Sequence, residues 1–197
     1  MCLSENLPPY WEEACCYLRQ HDSVLASCMD ESYLISHGNG FSTLVHAIIG
    51  QQISVKAAEK ITERLKISDP SDALMRSSDE MLAAGLSRQK VAYITGIARF
   101  WETQEWKMWP TLSDAHLMEE LIKLKGVGRW TAEMFLIFHC MRPDIFPKAD
   151  LGVQKAIATL YKVPVENTIE IVDRWRPYRT VATWYLWRSL DAIPVRY

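Results

Sequence analysis

Between Leu121 and Ala156 the chain reads LIKLKGVGRWTAEMFLIFHCMRPDIFPKADLGVQKA, and these residue types could build an anion-binding turn. Gly126 and Gly128 permit positive φ and let another backbone come close. The amides after them point out of the N-terminus of the next helix. Free N–H groups and the positive helix end together attract an anion, most often phosphate. Lys123, Lys125 and Arg129 add positive charge around the turn. On the glycines alone, a helical hairpin in which they only shape the turn is the commoner reading. Downstream, Pro143 and Pro147 mark a short loop. Asp150 then opens another helix, which by itself is the position of an ordinary N-cap.

These residues must be positioned by helices, because hardly any segment alternates with period two. Trp11 to Gln20 places Trp11, Ala14, Cys15 and Leu18 on one face. Val24 to Cys28 is a short helical piece, and His37-Gly38-Asn39-Gly40 is a turn at a possible lobe boundary. Phe41 to Gly50 is a strongly apolar helix, broken by Gln51-Gln52-Ile53. Ser54 caps Val55 to Lys66, and Asp69-Pro70-Ser71 begins a turn. Met81 to Leu86 is a short helix ended by Gly85. Ser87 caps Arg88 to Glu102, where Val91, Ile94, Ile97, Ala98 and Trp101 keep helical spacing. Ser113 caps Asp114 to Leu124. The hairpin's second helix runs from Arg129 to about Cys140, and Val165 to Trp175 and Tyr178 to Leu190 are the last helices. The expected fold is all-α, with many short helices and no sheet.

A chain of 197 residues makes one compact unit or two small lobes, and 49% hydrophobic residues are ample for a core. Eight tryptophans are many for this length, so some are expected at a surface or cleft. The net charge of −2 announces no nucleic-acid partner. Its distribution is uneven. Leu121 to Arg188 holds 11 Lys and Arg against 6 Asp and Glu, whereas Met1 to Glu120 holds 10 against 17. One DNA-facing surface would have this pattern, and so could chance. The five cysteines, Cys2, Cys15, Cys16, Cys28 and Cys140, form no zinc spacing and read as reduced, intracellular thiols. No apolar run reaches membrane-spanning length.

The longer pattern L-x-G-V-G-x-x-T-A, followed by F-P-x-x-D-x-G, resembles the helix-hairpin-helix of the HhH-GPD DNA glycosylase superfamily. Four blocks resemble its 3-methyladenine DNA glycosylase II (alkylbase DNA glycosylase) family. They are Phe41 to Ala58, Gly85 to Phe100, the hairpin with its aspartate, and Trp175 to Arg188. The resemblance implies two helical lobes with a DNA-binding cleft between them: residues 41–146, containing the hairpin 121–140, and a second lobe from 1–40 plus 147–197. Larger members begin with a β-rich domain, for which this chain is too short. Endonuclease III-type relatives carry a four-cysteine iron–sulfur loop. Nothing after Cys140 could supply one, so no cluster is expected.

The resemblance also assigns roles. Asp150 falls on the catalytic position, where a fixed carboxylate stabilises positive charge on the sugar as the base leaves and can orient water. Trp130 stands where strand-cutting relatives have a Schiff-base lysine, which implies base release without strand cleavage. Lys148 is near Asp150 but not at that position. Trp187 lines the base pocket in the family, and its aromatic face would attract a cationic methylated purine. Trp184 reads as core. Met134 departs from the aromatic of some relatives, which leaves the preferred damaged base open. Gln52, with Ile53 as runner-up, falls where the family plugs the gap left by the flipped base. Lys125, Gly126, Gly128, Arg129 and Thr131 would contact DNA. The carbonyls of Ile122, Leu124 and Val127 would hold a monovalent cation, with no other cofactor required. His46, His116 and His139 read as structural or surface residues.

The expected protein is therefore a monomeric, monofunctional glycosylase acting on alkylated purines in double-stranded DNA. It would be intracellular: cytoplasmic and nucleoid-associated in a prokaryote, nuclear in a eukaryote. The alternatives are a glycosylase for a deaminated or oxidised base, a bifunctional lyase, and a non-catalytic DNA-binding hairpin module.

Overall fold

The computed structural model describes residues 7–36, 39–163 and 168–190. Among these residues there are twelve α-helices, one 3-10 helix and no strand. None of the helices is long and apolar enough to cross a membrane. The chain divides into two compact units, one from 37–140 and the other from 1–36 with 141–196. The sequence had suggested borders at 41 and 146. The loop after Cys140 is tied to the last helix of its own unit: the Thr180 hydroxyl donates to the Arg142 carbonyl at 2.6 Å, and Arg179 Nε donates to Asp144 Oδ1 at 2.7 Å.

The unit from 37–140 holds α3 (Gly40–Gly50), α4 (Val55–Leu65), α5 (Pro70–Met75), α6 (Ser78–Ala83), α7 (Arg88–Thr103), the 3-10 helix Glu105–Thr111, α8 (Asp114–Lys123) and α9 (Arg129–Phe138). Short polar residues start most of them. Asn39, Ser54, Ser87 and Ser113 accept the third amide of α3, α4, α7 and α8, which satisfies one of the four donors each helix leaves unpaired. The apolar α3 packs against α4, α7 and α9. An aromatic cluster lies beside it. Trp101 stacks on Trp106 at 5.1 Å, and Trp109 meets Phe135 edge-on at 5.5 Å.

Three local expectations are corrected. Asp69 caps a further helix, α5, with Pro70 in its first turn, where its missing N–H costs nothing. The helix expected at Met81 starts at Ser78, because Ser77 and Glu80 form a reciprocal capping box. Residues 105–111, unassigned from sequence, form the 3-10 helix, whose three-residue period and internal Pro110 hide it from a 3.6-residue pattern.

The other unit holds α1 (Trp11–His21), α2 (Ser23–Ala26), α10 (Leu151–Tyr161), α11 (Ile169–Asp173) and α12 (Arg179–Leu190). The buried face of α1 is Trp11, Ala14, Cys15 and Leu18, as its spacing implied. Thr180 to Trp187 of α12 are all buried, so this helix is enclosed on every side. It packs on α1, α2 and α10. Trp184 sits against Trp11, its centroid 6.5 Å away, and Tyr185 donates to the Ser32 carbonyl at 2.9 Å. Six tryptophans are buried and only Trp106 and Trp130 are half-buried, so most of them serve the core. Residues 164–167, where the sequence started the penultimate helix, and Cys2 lie outside the described residues.

Candidate active site and nucleic-acid interface

Asp150 is the N-cap of α10, and its Oδ1 accepts the Val153 amide at 2.8 Å. The same oxygen accepts the Trp187 indole N–H at 3.0 Å. Two donors on one oxygen fix the carboxylate's rotation, and the N-terminal end of α10 supports its negative charge. Gly152 makes this arrangement possible. A Cβ there would lie 3.0 Å from Asp150 Oδ1 and 3.4 Å from Trp187 Cδ1. The glycine of F-P-x-x-D-x-G thus has a packing reason. Trp187, expected only to line a pocket, is also a direct partner of the carboxylate. Lys148 is exposed, and its carbonyl accepts from Gln154 Nε2 at 2.8 Å.

The hairpin joins α8 to α9. The Val127 amide closes its turn on the Leu124 carbonyl at 3.0 Å. Gly126 adopts φ +93°, and the Tyr93 ring of α7 covers it so closely that a Cβ would lie 2.3 Å away. Gly128 is the N-cap of α9 with no side chain to satisfy the first amides, which leaves the N-terminus open for an anion. Lys125, Gly128 and Arg129 are exposed, as suits contact with a phosphate chain. Arg129 also pairs with Glu133 at 3.0 Å. Ile122 is exposed, Leu124 half-buried and Val127 buried.

Thr131 is the third residue of α9. Its side chain is buried, and its hydroxyl accepts from Gln51 Nε2 at 2.8 Å. The hydroxyl thus ties the start of α9 to the turn after α3. Met134 is fully buried in α9 and Trp130 half-buried. His116 is exposed. His46 is half-buried in α3, and burial lowers its pKa. His139 lies against Phe135 at 4.8 Å.

After α3 the chain turns at Gln51 and Gln52, both polar as expected of a plug. Gln52 and Ile53 are exposed, and Gln52 has φ +59°. Sequence reading missed three residues that hold this region. Gln51 Nε2 donates to the Gly126 carbonyl at 3.0 Å and to Thr131. Lys90 and Tyr93, both on α7, reach the turn and the hairpin. The sequence did carry a signal, since both lie within the block Gly85 to Phe100. Gly126→Ala combines an unfavourable φ with a collision against a ring, and overpacking of this kind costs about 1–3 kcal/mol beyond the backbone strain. A fall in melting temperature and a loss of duplex binding are expected, measurable by thermal denaturation and fluorescence anisotropy.

The glycine turn between α8 and α9 makes this a helix-hairpin-helix protein. The HhH-GPD superfamily of base excision DNA repair proteins matches residues 45–176. The chain is 35% identical over 166 residues to DNA-3-methyladenine glycosylase 1 of Schizosaccharomyces pombe, covering 76% of this chain and 72% of that protein. It is 27% identical over 216 residues to DNA-3-methyladenine glycosylase of Bacillus subtilis, covering 95% and 69%. Among solved structures, the Schizosaccharomyces pombe 3-methyladenine DNA glycosylase Mag1 in complex with abasic DNA superposes with a TM-score of 0.82 at 26% identity, covering 90% of this chain and 96% of that one. The chain belongs to the HhH-GPD superfamily.

Proposed function

We propose that the protein is a monofunctional DNA glycosylase that hydrolyses the N-glycosidic bond of alkylated purines in double-stranded DNA. The observation that carries this reading is the fixed carboxylate of Asp150, held by the α10 N-terminus and by Trp187. Methylation at N3 or N7 makes a purine cationic and a good leaving group. Such a base needs little acid assistance, and a carboxylate beside the sugar stabilises the charge that develops there. The likeness to two proteins named as 3-methyladenine glycosylases supports this substrate class.

Base release requires that the nucleotide leave the stack. Gln52, with Ile53, fills the gap from the exposed turn after α3, while the hairpin's Lys125, Gly126, Gly128 and Arg129 hold backbone phosphate. Trp187 lines the base pocket beside Asp150, and the half-buried Trp130 of α9 offers an aromatic face suited to stacking on a flipped base. The carbonyls of Ile122, Leu124 and Val127 are hard donors suited to a monovalent cation, and Leu124 keeps a lone pair after accepting the Val127 amide. Such a cation would supply positive charge at the hairpin to attract a backbone phosphate. The protein acts as a monomer.

Trp130 has no amine to form a Schiff base. Borohydride treatment during turnover is therefore expected to trap no protein–DNA adduct, and the product strand is expected to remain uncut until alkali is added. A trapped adduct would place the protein among the bifunctional lyases. A panel of duplexes carrying 7-methylguanine, ethenoadenine, hypoxanthine or an oxidised purine tests the substrate class. Release confined to the last two would replace the alkyl-purine reading.

A further inference from the structure

The turn after α3 is held by contacts that its own sequence does not need for a helix stop. Gln51 has φ −55° and ψ 126°, and Gln52 has φ +59°. The Ile53 amide returns to the Gly50 carbonyl at 3.4 Å. These are the features of a type II turn, whose third residue is ordinarily glycine. Here it is a glutamine, exposed and held in the left-handed region. An outlier of this kind persists where surrounding contacts over-determine it, and it points to a use for the side chain.

The over-determining contacts come from α7 and the hairpin. Lys90 Nζ donates to the Ile49 carbonyl at 2.7 Å and to the Gln51 carbonyl at 2.8 Å. These two carbonyls flank the end of α3, where the helix dipole is negative and acceptors lack partners. One ammonium thus clamps the last turn of the helix to the first residue of the tight turn. The Gln51 side chain ties the same residue to Gly126 and Thr131 of the hairpin.

We propose that Lys90 is a positioning residue for strand opening: it locks the Gly50–Ile53 turn so that Gln52 projects as a pre-formed wedge, at a fixed offset from the phosphate-binding hairpin. This rests on the glycosylase reading above. A wedge that is already ordered loses less conformational entropy when it enters the stack, so more of the contact offsets the unstacking of the base.

The test compares Lys90→Met, Lys90→Arg, Gln52→Ala and Gln52→Gly with wild type. Single-turnover release of 7-methylguanine is measured from a fully paired duplex and from one with the lesion opposite an abasic gap. Insertion is read separately, as the fluorescence of 2-aminopurine beside an abasic analogue. Because flipping a paired base costs a few kcal/mol, Lys90→Met is expected to lose about tenfold or more on the paired substrate. On the gapped one it should lose far less. Its fluorescence rise should be reduced by a similar proportion to that of Gln52→Ala. Lys90→Arg, which keeps the charge and the donors, is expected to restore most of both signals. Combining Lys90→Met with Gln52→Ala should add little, as for two residues acting as one device. Gln52→Gly should melt no lower than wild type and still lose insertion.

Equal losses for Lys90→Met on both substrates, or wild-type rates and fluorescence, would overturn the proposal. If Lys90→Met does not fold, the Lys90→Arg and Gln52→Gly results decide it: failure of the first to restore insertion, or full insertion by the second, overturns it. If wild type releases no base from either duplex, the glycosylase reading fails. The fluorescence comparison then decides the role of Lys90 alone, and equal signals from wild type and Lys90→Met would reject it.

Discussion

Asparagine in place of Asp150 is expected to leave the fold intact and to abolish base release. Asparagine is as good an N-cap as aspartate, so its side-chain oxygen can still accept the Val153 amide and the Trp187 indole, at 2.8 and 3.0 Å in the wild type. What disappears is the negative charge. Without it, positive charge building on the sugar has no fixed counter-charge beside it. Removing one preorganised electrostatic group typically lowers a rate by about 10²–10³, and a full charge belongs at or above the upper end, about 4 kcal/mol. Duplex affinity should change little, because the hairpin contacts lie on other residues. A melting temperature within a degree or two of wild type, read alongside the rate, separates lost chemistry from lost structure.

The second large effect concerns a carboxylate remote from the chemistry. Asp22 is buried, and its Oδ1 accepts the amides of Val24 at 3.1 Å and Leu25 at 2.9 Å. Its Oδ2 accepts the Tyr161 hydroxyl and the Trp175 indole, each at 2.8 Å. One side chain thus caps α2 and fixes the end of α10 and Trp175, two residues past α11. Alanine there would orphan the buried Trp175 indole and the half-buried Tyr161 hydroxyl, at about 1–3 kcal/mol for the first and about 1 kcal/mol for the second, and remove a cap worth about 1 kcal/mol. A destabilisation of about 3–5 kcal/mol follows, a large share of a typical 5–15 kcal/mol. For a chain of this size the melting temperature should fall by about 10 °C or more. Urea denaturation of Asp22→Ala measures it. A loss below about 1 kcal/mol would mean that water or neighbouring groups replace the carboxylate.

The two carboxylates also show what sequence can and cannot reveal. Asp150 was legible because it sits in a local pattern, F-P-x-x-D-x-G, at a helix start. Its hydrogen bond from Trp187 was not, since the donor is 37 residues away. Asp22 belongs to no pattern singled out in the sequence, and only the fold brings Tyr161 and Trp175 to it. The long amphipathic helices were clear from period, and the starts of three of them from the serine caps Ser54, Ser87 and Ser113. The short elements failed for physical reasons. A capping box outranked the apolar spacing at Ser77, and a 3-10 segment with Pro110 has no 3.6-residue signature. The hydrogen bond from Gln51 to Thr131 was not legible, because a polar residue one turn into the hairpin's second helix could face either way.

The proposed chemistry turns on Asp150, and the most direct measurement of it identifies what methylated DNA releases. Purified wild type and Asp150→Asn would be incubated with it side by side, and the free bases identified by chromatography. Free 3-methyladenine or 7-methylguanine from wild type and none above background from the variant is the predicted result. Equal release by both would contradict the account, because another group would then carry the chemistry.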